Sequence, residues 1–190
     1  MKVLPLLALV LLTGCATPRP APTDLFISLG ALCGKAFEGR IVSPPVAADA
    51  SFAGKRLVMH VRDCSADVIR VPFHVADDAS RTWVVSRTTT GLRLKHDHRH
   101  RDGSEDRLTQ YGGDSVAPVT ATRATFPADA FTRALLVREG NVAGAANVWA
   151  IEVHPGRTFA YELRRPGRFF RVEFDLSRPV VAPPPPWGAR

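Results

Sequence analysis

The residues best suited to chemistry in this sequence are His96, His98 and His100, set at alternate positions in the run His96-Asp97-His98-Arg99-His100. Side chains at i and i+2 share one face of a strand, so these imidazoles align with Leu92 and Leu94, while Lys95, Asp97 and Arg99 point the other way. Two neutral imidazoles in that relation can chelate zinc, copper or nickel, and a third completes a facial set. Glu105 or Asp106, just beyond, supplies a carboxylate as ligand or as partner to a ligand. The same rings also suit a general base, or a polar strand end leaving the core at the turn Asp102-Gly103-Ser104, where they do no more than hydrogen-bond. These three readings stay open at the level of sequence. His60 and His74 fall on outward faces of other strands and do not join the cluster.

Recognisable catalytic sets are missing. The sequence has no GxSxG elbow, HExxH pair, phosphate-binding loop or dinucleotide-binding glycine motif. The acidic stretch 102–106 lacks the alternating oxygen ligands of a calcium loop. No residue is therefore assigned as catalytic, no cofactor is expected, and a divalent metal such as zinc on the histidine cluster is the alternative.

A second chemistry lies near the N-terminus. Lys2 precedes an apolar stretch over residues 3–12, too short to span a bilayer, and the stretch ends in Leu12-Thr13-Gly14-Cys15. This pattern resembles the lipobox of bacterial lipoproteins, and the chain as a whole is similar to small Gram-negative lipoproteins, a resemblance that assigns no activity. The resemblance implies a leader over residues 1–14, acylation of Cys15, and a membrane partner reached through the lipid. Without Asp after the cysteine it further implies the outer membrane, with the domain facing the periplasm. Residues 15–22, with three prolines, read as a tether. With Cys15 acylated, Cys33 and Cys64 are the remaining thiols: an oxidising compartment makes them a disulfide between the first helix and the second strand, the competing reading being two buried small side chains.

The formal charge is +7, and removing Lys2 with the leader leaves +6. Nearly all the positive charge is arginine, which favours anionic head groups as neighbours, whereas nucleic acid is not expected outside the cytoplasm.

The elements that must position these groups follow from periodicity. Asp24 caps a helix carrying Leu25, Leu29, Leu32 and Ala36 at helical spacing, with Lys35 in its last turn and Gly39 following. Beyond it the period becomes two: Leu57, Met59 and Val61, then Ile69, Val71, Phe73 and Val75, alternate with polar residues. Thr90-Gly91, His154-Pro155-Gly156-Arg157 and Arg165-Pro166-Gly167-Arg168 read as hairpin turns. The last two organise a meander whose inner positions include Trp149, Ile151, Phe159, Tyr161, Phe170 and Phe174. A second short helix is expected over residues 127–138, introduced by Pro127, and Tyr111-Gly112-Gly113-Asp114 reads as a bend. Residues 183–186 read as a solvated polyproline tail.

One domain over residues 23–178, with a Pro-rich tail over residues 179–190, is thus expected to be mainly β: an antiparallel barrel or bent sandwich of eight to ten strands with two short helices. Such an architecture resembles the calycins, cups around a small apolar ligand, although the Gly-x-Trp signature of lipocalins is absent because Gly39 is followed by Arg40 and Ile41. The function expected is non-catalytic binding of a small apolar or amphipathic molecule by a lipid-anchored envelope protein. The alternatives are a metal-binding protein or metal-dependent enzyme built on His96, His98 and His100, and a structural protein with a filled barrel.

Overall fold

The computed structural model describes residues 24–189, so the leader, Cys15 and the tether lie outside the described residues. Helix α1 (Leu25–Gly30) leads into strands β1 (Ala36–Ile41), β2 (Leu57–His60), β3 (Asp63–Cys64), β4 (Val68–Val75), β5 (Asp78–Thr88), β6 (Gly91–His98) and β7 (Tyr111–Asp114). Then follow β8 (Arg123–Pro127), α2 (Ala130–Arg138), β9 (Val148–His154), β10 (Thr158–Arg165) and β11 (Arg168–Val180). Every pairing is antiparallel, in the order β7-β6-β5-β4-β2-β1-β11-β10-β9-β8, with β3 paired only to β4. The two ends of this path meet through a bridge between Val116 and Thr125, making a nearly closed barrel of ten strands.

The seam between β7 and β8 is completed by a side chain. Thr132, the third residue of α2, donates its hydroxyl to the Gly112 carbonyl at 2.8 Å and accepts from the Gly112 amide at 2.7 Å, so together with the Asp129 amide, which donates to the same carbonyl at 3.0 Å, it takes the place of a neighbouring strand. Such close passage requires glycine in β7. A Cβ on Gly112 would lie 1.9 Å from the Leu94 carbonyl oxygen, and one on Gly113 would lie 1.9 Å from that of Pro127. Residues 111–114 are therefore a strand and not the expected bend; the glycines serve proximity between backbones.

The inner face is apolar over most of its length, as the two-residue period requires. Phe37, Met59, Ile69, Leu94, Phe126 and Phe159 are fully enclosed. One end of the barrel is stoppered by α1, whose Leu25, Phe26 and Leu29 are buried. Asp24 caps this helix through the Phe26 amide at 2.8 Å and also holds Arg87, near the end of β5, at 2.6 Å.

Local details differ from the sequence reading. Helix α1 stops at Gly30, and Ala36, expected on the helix, opens β1 between β2 and β11. Gly34, at φ +80°, donates to the Val61 carbonyl at 2.7 Å and turns the chain into the sheet, where pairing on both edges outweighs helical spacing. Cys33 and Cys64 form a disulfide, joining the turn after α1 to β3 instead of helix to second strand. Pro127 ends β8; α2 is capped by Asp129, which accepts from the Thr132 amide at 2.7 Å, and Phe131 stays exposed beside Lys95. After β11 the chain crosses the outer wall to β5, where the Trp187 amide donates to the Ala79 carbonyl at 3.0 Å. Trp187 and Pro186 are half-buried, so this stretch is not wholly solvated. No helix among the described residues is long and apolar enough to cross a membrane.

Candidate ligand-binding site

Opposite α1, the hairpin geometry brings together the start of β5, the end of β6, the start of β7, the end of β10 and the start of β11. Their inward side chains leave a cavity of about 290 Å³. Its floor is a stack of rings: Trp83 lies against Phe73 at 4.8 Å and against Tyr161 at 4.4 Å between centroids. Phe52, from the connection between β1 and β2, and Phe170 complete the apolar wall at 5.2 Å from each other. Leu136, at the end of α2, and Leu163 add aliphatic surface.

His96 and His98 reach this cavity from β6, but not as a chelating pair. His96 is 2 % exposed and has both ring nitrogens engaged, Nδ1 with the Tyr111 carbonyl at 3.0 Å and Nε2 with the Tyr161 hydroxyl at 2.8 Å. Because a carbonyl only accepts, Nδ1 carries the proton and Tyr161 donates to Nε2. His98 Nε2 shares a hydrogen bond of 3.1 Å with the Tyr111 hydroxyl. Burial, with the neighbouring His98, lowers the His96 pKa to about 3; burial, with the charge on Arg81, lowers that of His98 to about 4. Both imidazoles are neutral at neutral pH. Burial raises both tyrosine pKa values, so the four polar rings form an uncharged, hydrogen-bonded lining.

His100 leaves the shared face: it lies beyond β6, exposed, with Nδ1 4.0 Å from Asp106 Oδ2. Among the described residues no group of three or more His, Cys, Asp or Glu side chains is arranged to hold a metal ion. Glu105 is drawn away to Arg99 at 3.0 Å, and Asp106 accepts from the Leu108 amide at 2.8 Å. His60 and His74 stay on the outer wall, with His74 near the proline segment that follows β11.

The rim carries charge that sequence reasoning did not place. Arg81, Arg165 and Arg168 line the cavity together with Asp106. Arg81 pairs with Asp78 at 2.5 Å, and Arg168 pairs with the buried Asp49. Arg165 and Arg168 flank the hairpin turn between β10 and β11, where alternation alone does not say whether a long side chain folds inward or out. Phe52 sits in a stretch with no strand pattern, and its role follows only from the folded chain.

Chemically, the cavity offers stacked aromatic surface, neutral hydrogen-bonding groups and guanidinium groups at its rim. Asp106 is the one carboxylate in this lining. Comparisons of the chain with protein-family models, with curated proteins and with solved structures found no match.

Proposed function

We propose that this protein is a lipid-anchored component of the cell envelope that binds one small apolar or amphipathic molecule inside its barrel. The observation that carries the reading is the aromatic cavity at the end of the barrel away from α1. Its volume of about 290 Å³ falls at the lower edge of the range usual for small-molecule sites, about 300–1,000 Å³. A barrel serving only as structure would fill this space with side chains, as the α1 end does. The anchor rests on the Leu12-Thr13-Gly14-Cys15 pattern, with the outer membrane as address and the domain on its periplasmic side. The arginine-rich exterior suits a surface of anionic head groups, attraction to which weakens with salt.

Native mass spectrometry of the full chain, extracted from envelope membranes in a mild detergent, tests both parts. The expected result is a diacylglyceryl adduct on Cys15 and a one-to-one complex with a small organic molecule. Leu163→Trp, which fills the cavity from its wall, is expected to lose the small molecule and keep the acyl group. A folded protein that retains its companion molecule in Leu163→Trp would move the binding site elsewhere, and an unmodified Cys15 would remove the anchor.

A further inference from the structure

Resting on the reading of the cavity as a binding site, we propose that its ligand is an amphipathic anion whose acidic head group pairs with Arg165 while its apolar body lies against Phe52, Trp83 and Phe170.

The charges around the rim are unequal in how they are matched. Arg81 has Asp78, and Arg168 has Asp49. Arg165 makes no ion pair among the described residues; its Nη1 donates to the Asn147 side-chain oxygen at 3.3 Å. The charges that act on it are those of Arg168 and Asp49. Two guanidinium groups therefore share one carboxylate at this edge, which leaves one positive charge beside an apolar hollow. Burial, together with the positive charge of Arg168, lowers the Arg165 pKa, the direction expected of a cation short of a counter-ion.

The rest of the rim does not offset this charge. Asp106 comes from the segment after β6, within electrostatic reach of His98 and Tyr111, and no interaction with Arg165 is resolved. His98 is neutral, so that side of the rim adds no cation. A guanidinium with open donors offers a carboxylate two parallel hydrogen bonds, which is stronger and more directional than its present contact with a neutral amide. Inorganic anions would gain the charge contact but leave the aromatic floor uncovered. A ligand with both an acidic head and an apolar body satisfies both surfaces.

The test uses the full chain and two matched pairs of probes, decanoate with decan-1-ol and 4-phenylbutyrate with 4-phenylbutan-1-ol, titrated by calorimetry at pH 7. Each acid is expected to bind at least tenfold more tightly than its alcohol. Arg165→Gln should bring the acid down to the level of the alcohol and leave the alcohol unchanged, and Arg165→Lys should keep part of the preference. An unchanged urea midpoint for Arg165→Gln shows that the barrel is intact. Equal binding of acid and alcohol, or an equal loss of both in Arg165→Gln, overturns the anionic head group and leaves the cavity as a binding site. Failure of all four probes to bind overturns this inference and the binding reading together.

Discussion

Two groups of arginines occupy the same meander and are used in opposite ways. On the outer face of β8 to β11, Arg123, Arg164 and Arg171 stand among Glu152, Glu162 and Glu173, cation for carboxylate. Arg123 reaches Glu152 at 2.7 Å and Glu162 at 2.6 Å; Arg171 holds Glu162 and reaches Glu173 at 2.7 Å. His154 takes the remaining side of Glu152 at 2.7 Å. Burial works against the charge on Glu152, but hydrogen bonds from Arg171, His154 and Arg123 hold its pKa at about 2. At the rim of the cavity, a few residues along the same strands, Arg165 has a neutral amide where its outer-face counterparts have carboxylates. Arginine content alone does not separate the two; the count of counter-ions does. A balanced network is part of the scaffold, and an unbalanced one is left for something that arrives from solution.

The comparison breaks most visibly at Arg171. Replacement by Met leaves Glu162, 4 % exposed, and Glu152 with Arg123 but without the second arginine they share; removing one side of a buried pair typically destabilises by about 3–5 kcal/mol, and the lower end applies because Arg123 remains. Urea unfolding of Arg171→Met should show a loss of that size; a change below about 1 kcal/mol would mean that the network is solvated and marginal.

Acid should affect the two regions in different windows. His96 and His98 are neutral in the fold with pKa values of about 3 and about 4, so the unfolded chain, at 6.5, takes up protons first. Stability is therefore full above about 6.5 and falls as the pH drops toward 4, by on the order of 3 kcal/mol for His98 alone. Glu152 contributes stability above its unfolded value of 4.5, lost only as the pH falls toward about 2. Unfolding free energies at pH 7.0, 5.5 and 4.5 should decline, and His98→Gln should flatten that decline without changing the behaviour below 4. A flat profile from 7.0 to 4.5 would show that the rings are not held neutral.

The smallest effect is expected at the rim. Arg165→Gln removes a cation that has no carboxylate, so the free energy of unfolding should stay within about 0.5 kcal/mol of the parent or rise. A loss comparable to that of Arg171→Met would show that Arg165 belongs to the scaffold after all.

Much of this architecture is legible in the residue pattern. The alternation from Leu57 onward and the Pro-Gly turns announce an antiparallel meander, because period two with one greasy face has few other solutions. The inward direction of His96 and His98 follows from the same alternation. What escaped is set by contacts distant in sequence. Ala36 carries helical spacing but is captured between β2 and β11, and Gly112 looks like a bend until Leu94 passes 1.9 Å from where its Cβ would be. Tyr111 and Tyr161, which hold the two imidazoles, belong to strands the sequence does not connect with β6. Arg165 shares the face of Tyr161 and Leu163 by the same alternation, but where its guanidinium ends is not legible, since a long flexible side chain at a turn takes its direction from what surrounds it.

Where Thr132 bonds to Gly112, a hydroxyl on a helix performs the task that elsewhere in the wall falls to a run of peptide groups. A run of such groups resists being pulled apart because each rung supports the next; here one rotatable side chain and the single Asp129 amide, which donates to the same Gly112 carbonyl at 3.0 Å, carry the join. Shifting α2 together with its cap Asp129 would unfasten this join while the ladders between the other strands stayed in place. The same helix supplies Leu136 to the hollow, so whatever loosens the fastening also reshapes the space a guest would fill.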